Sequence, residues 1–71
     1  MNTYHLKATE DDWELIREGT QKPVALFDGK GIAEPASIAL VQSLGGTLKI
    51  YGPDDRVERV LRWPLPFTAS V

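Results

Sequence analysis

Cysteine is absent from this chain, and histidine occurs once, at His5. Without thiols there are no disulfides and no thiolate metal sites to brace the fold. A structural zinc on His5 would need three carboxylate partners, a rare ligand set for zinc. Long apolar runs are missing too: no stretch approaches the roughly 20 residues of a membrane span. The opening residues, Met1-Asn2-Thr3-Tyr4-His5, lack the positive and apolar regions of a signal peptide, so a cytoplasmic protein without membrane contact is expected. A basic excess is the last absence. Ten acidic residues against eight basic ones give a formal net charge of -2, whereas a module that grips nucleic acid through phosphates is normally basic.

What is present is enough for one small domain. A chain of 71 residues buries only about 60% of the surface that its unfolded form exposes. Hydrophobic residues at 42% and charged residues at 25% are ordinary globular values, far from the disordered range. The core must come from apolar packing, with a second copy of the chain as the available supplement.

Residues 3 to 9 alternate Tyr4, Leu6 and Ala8 against His5, Lys7 and Thr9, the period of a half-buried strand. Glu10-Asp11-Asp12 is a turn, and Trp13 to Arg17 is a second strand completing a hairpin. A loop from Glu18 to Pro23 leads to a third strand, Val24 to Phe27. The period then changes. Ala33, Ala36, Leu40 and Leu44 form a helical stripe, widened by Ile32 and Ala39. Pro35 suits a first helical position, so the spacing predicts a helix from about Pro35 to Leu44, capped by Gly45-Gly46. Residues 47 to 51 return to strand, with Leu48 and Ile50 on one face and Lys49 and Tyr51 on the other.

Gly52-Pro53-Asp54-Asp55 marks a turn, and Arg56 to Trp63 is the last strand. Its alternation is imperfect, since Val60 lies among Glu58 and Arg62; that predicts a bulge or a strand covered on both faces. The fold expected is α+β, a single antiparallel sheet in the order β-β-β-α-β-β with one helix packed on one face. Residues 1–63 form the domain, and 64–71 are expected to be a flexible tail. Trp13 is expected between sheet and helix, with Leu6, Leu15, Leu40, Leu44, Leu48 and Ile50 around it. The uncovered sheet face is where a partner or a second protomer would bind.

The chain resembles a bacterial family known only as domain of unknown function 2188. Members open with a Tyr-His-Val-like strand, an acidic or glycine turn and a tryptophan, and a later strand ends in Gly-x-Asp-Gly-Arg. The matching residues are Tyr4-His5-Leu6, Asp12-Trp13-Glu14-Leu15, Arg17-Glu18-Gly19, Phe27-Asp28, Gly45-Gly46, Leu48-Lys49-Ile50-Tyr51-Gly52 and Asp54-Asp55-Arg56. Gly29-Lys30-Gly31 with Pro35, and the segment from Pro64 to Val71, depart from the pattern. The resemblance implies a small bacterial protein and brings no activity to any residue.

The chemistry-bearing residues point to no catalytic, cofactor or metal site. His5 lacks the partners that a nucleophile–base–orienter arrangement requires, and reads as a sheet-surface histidine. Ser37, Ser43 and Ser70 sit in no Gly-x-Ser-x-Gly elbow. Glu10, Asp11, Asp12 and Glu14 lack the ligand alternation and central glycine of a calcium loop. Gly29-Lys30-Gly31 lacks the spacer and the hydroxyl residue of a phosphate loop. What remains is a basic and aromatic set, Lys49, Tyr51, Arg56, Arg59, Arg62 and Trp63. It fits a charged edge strand better than a nucleic-acid surface, given the acidic balance. The expectation is a non-enzymatic interaction or adaptor module, with a protein partner or a homodimer. A weak nucleic-acid module using Arg56, Arg59 and Arg62 is the alternative.

Overall fold

A computed structural model describes residues 2–64, so most of the expected tail lies outside the described residues. Six elements follow one another: β1 (Thr3–Ala8), β2 (Trp13–Arg17), β3 (Pro23–Phe27), α1 (Lys30–Leu44), β4 (Gly46–Tyr51) and β5 (Val57–Trp63). The fold is α+β, with one helix on a five-stranded sheet ordered β3-β2-β1-β4-β5.

The sheet is mixed rather than antiparallel. β1–β2, β2–β3 and β4–β5 pair antiparallel, but β1 and β4 pair parallel, with Tyr4 beside Leu48 and Leu6 beside Ile50. Chain direction explains it. Two hairpins leave β3 running the same way as β1, and α1 carries the chain back along the sheet. β4 therefore runs with β1, and the free edge of β1 can only be paired in parallel. That return makes β1 the middle strand.

Residues that face each other across a ladder share a face. The helix side collects Tyr4, Leu6, Leu15, Leu48 and Ile50, all buried, with Trp13, Phe27, Leu61 and Trp63 packed around them. α1 meets them through Ala33, Ser37 and Val41, spaced four apart, and Ile38 and Leu40 flank that row. The small side chains at Ala33 and Ser37 let the helix sit close to the large leucines beneath. The expected stripe is therefore rotated. Ala33 belongs to it, but Ile32 is 63% exposed and Leu44 is 45% exposed. Trp13 is half-buried at the rim, with the Lys30 ammonium 5.6 Å from its ring centroid.

The helix also starts earlier than its sequence indicates, at Lys30, which leaves Pro35 inside it. Proline there removes one helical hydrogen bond. Two ion pairs to β5 hold this first stretch, Lys30 with Glu58 and Arg59 with Glu34. The exit is tight. Gly45 takes φ 78 and Gly46 φ 133, while the Thr47 amide donates to the Asn2 carbonyl at 3.0 Å. A Cβ on Gly46 would lie 2.5 Å from that carbonyl oxygen.

Candidate interaction surface on the open sheet face

The helix covers one face of the sheet, and the registers define the other. His5 lies between Ile16 on β2 and Lys49 on β4, and Lys49 faces Val60 on β5. One step along, Lys7 faces Glu14, and Glu14 faces Leu26 on β3. On β4 the same level holds Tyr51, opposite Val57. One step the other way, Thr3 neighbours Thr47, which faces Arg62.

Side-chain contacts tie the middle of this face together. The His5 side chain is only 16% exposed, and its Nε2 lies 3.1 Å from Oε1 of Glu18. A carboxylate can only accept, so in the neutral imidazole Nε2 carries the proton. Nδ1 is then free to accept from the Tyr51 hydroxyl, 3.0 Å away. The Lys7 ammonium sits 4.8 Å from the Tyr51 ring centroid, within cation–π range. Carboxylate, imidazole and hydroxyl thus stand in line. The hydroxyl is a phenol on a flat face, however, and its ring is already covered by Lys7. Its supported role is to lock His5 and Tyr51 in place.

Two surface clefts lie elsewhere. One, of about 580 Å³, is bounded by Tyr4, Arg17, Val24 and Leu44; the other, of about 400 Å³, lies along Lys30, Glu34 and Ile38. Neither includes His5, Glu18 or Tyr51. Among the described residues no group of three or more His, Asp or Glu is placed to hold a metal ion.

The basic and aromatic set read from the sequence is divided by the fold. Lys49, Tyr51 and Arg62 share the open face. Arg59 turns to the helix side and binds Glu34, and Trp63 packs against the core opposite Gly46. Arg56 is in the turn, 3.8 Å from Asp54. A shift in the β4–β5 register leaves Glu58 as the extra residue, the bulge that the broken alternation predicted, and beyond it the strand's faces exchange. Lys30, Arg56 and Arg59 have carboxylate partners, whereas Lys7, Lys49 and Arg62 on the open face, and Arg17 and Lys22 elsewhere, have none within 4.0 Å among the described residues. The importance of Glu14 and Glu18 was not visible in the sequence, because only the register sets Glu14 opposite Lys7 and brings Glu18, one step along from Ile16, within reach of His5.

No helix among the described residues is long and apolar enough to cross a membrane. Compared with family models, with curated proteins and with solved structures, the chain matches none.

Proposed function

We propose that this chain is a small non-enzymatic interaction module, that the open sheet face is its working surface, and that a protein, a second copy included, is its partner. The observation that carries this reading is the make-up of that face. Lys7, Lys49 and Arg62 stand there without carboxylate partners among the described residues, around the fixed His5–Tyr51 pair, and apolar side chains edge the face. Leu26 is 61% exposed at one edge, and Val57 and Val60 are 46% and 44% exposed at the other. Aromatic and arginine side chains, here Tyr51 and Arg62, are enriched at protein-binding surfaces relative to the rest of a protein's exterior. A cytoplasmic setting and kinship with the bacterial family named above fit the same reading.

Nucleic-acid binding through Arg56, Arg59 and Arg62 is less well supported, since two of the three are engaged with carboxylates and the three do not share a face. The test compares the immobilised chain with a Leu26→Asp, Val60→Asp variant in native lysate, with and without nuclease. Proteins retained by the natural sequence, lost by the variant and indifferent to nuclease are the expected result. Retention that requires nucleic acid would favour the alternative. An empty eluate from a chain that also stays monomeric when purified would sink the proposal.

A further inference from the structure

We infer that the partner of the open face is a second copy of this chain, laid face to face with β1 along the two-fold axis. This rests on the open face being the working surface, and adds the occupant and its orientation. β1 is the third of five strands, so two strands flank it on either side. The flanks differ in sign. On one side lie Glu14 of β2 and Glu18 just beyond its end, with Leu26 of β3 outside them. On the other lie Lys49 of β4 and Arg62 of β5, with Val57 and Val60 also on β5, outside Lys49.

A two-fold axis parallel to the strands and passing over β1 brings each flank onto its opposite without changing height along the strands. Heights follow from the registers, which set Lys49 level with His5 and His5 level with Ile16. Lys49 of the second copy therefore comes over Ile16, between Glu14 and Glu18. Leu26 comes over Val57 of the second copy. An axis across the strands would instead set β2 on β2 and β4 on β4, acid against acid and base against base. Strands running nearly in line also match the shallow angle of aligned sheet packing.

Lys7 would meet its own copy on the axis, but its ammonium leans over the Tyr51 ring on β4 and so leaves that line. One complementary pair of flanks serves both halves, as a two-fold interface requires. The contact is small. Five strands about 4.8 Å apart and about 17 Å long give roughly 400 Å² of flat face per copy. That is about half the usual share per partner, so association should need tens of micromolar or more.

Sedimentation equilibrium with two charge reversals and their mixture tests this. The natural chain, 7.9 kDa, should approach twice its monomer mass as concentration rises to the high micromolar range. Glu14→Lys and Lys49→Glu should each weaken association about tenfold or more. An equal mixture of the two should recover it, because acid then meets base at both halves of the interface; damage to the fold would not be repaired by mixing. Should a reversal unfold the chain, mixed-label NMR on the natural sequence gives the same decision. A contact between Leu26 and Val57 of different copies is expected, and one between Ile16 and Ile16 would overturn the orientation. A dimer indifferent to both reversals, or variants that mixing does not rescue, would also overturn it. A natural chain that remains monomeric yet loses its lysate partners through Leu26→Asp, Val60→Asp would remove this inference and leave the broader reading standing.

Discussion

Gly46 is the residue at which the parallel pairing of β1 and β4 becomes sterically feasible. Its φ of 133, and the 2.5 Å that would separate a Cβ there from the Asn2 carbonyl oxygen, exclude any side chain without movement. Gly46→Ala should cost about 2–4 kcal/mol, combining left-handed strain with overpacking, and a denaturant midpoint shows it. Ser37 is the opposite case. It is fully buried, and its Oγ has no hydrogen-bond partner among the described residues. Ser37→Ala should therefore stabilise the chain by about 0.5–2 kcal/mol, since it removes a desolvated hydroxyl and improves helix propensity. A loss of stability would reveal a partner for that oxygen. Leu6, with no exposed surface, should cost about 2–5 kcal/mol as Leu6→Ala. Trp13→Ala should cost no more than Leu6→Ala, because Trp13 sits half-buried at the rim instead of under the helix.

At the scale of elements, α1 shows tertiary contact overriding local preference. Gly31 and Pro35 both weaken a helix, and on local grounds the regular helix would begin at Pro35. The ion pairs of Lys30 and Arg59 with Glu58 and Glu34 anchor the earlier turn to β5. Each is partly exposed, so each contributes only about 0.2–1 kcal/mol. Replacing Lys30 and Arg59 with alanine should speed amide exchange about three- to tenfold across the helix start. The amides near Val41, which is buried, should stay protected. Uniform acceleration along the whole helix would show that the first turn does not depend on these pairs.

For the whole molecule, the two faces of the sheet divide the work. One is closed by α1 over a leucine-rich core; the other carries acids on one flank and bases on the other. If opposite flanks meet in a dimer, salt should weaken it. Raising ionic strength from about 50 mM to about 500 mM should lower the association constant about threefold or more, because exposed charges are screened beyond a few Å at high salt. Sedimentation at both ionic strengths measures this, and association that strengthens with salt would mean the apolar edges dominate. Nucleic acid should show no complex at physiological salt, as judged by fluorescence anisotropy with a labelled single strand.

The five strands, the helix, the acidic and glycine-rich turns and the presence of a sheet face that the helix does not cover were all legible along the chain. Those features rest on periodicity and turn chemistry within a few residues, and such local signals need no knowledge of neighbours. The same local reading placed Leu48 and Ile50 together and detected an irregularity in β5, which the register puts at Glu58. The return of β4 to the side of β1 was not legible, because strand order depends on where the helix lands on the sheet. From that return follow the parallel ladder, the rotated helix stripe and the early start at Lys30. Three-dimensional packing also selects which cations remain without carboxylate partners on the open face. Strand alternation already turns Arg59 and Arg62 to opposite faces, but only the fold supplies Glu34 to the first and no carboxylate within 4.0 Å to the second among the described residues. Side-chain partners are set by contacts between residues distant in sequence, and spacing along the chain carries no record of them.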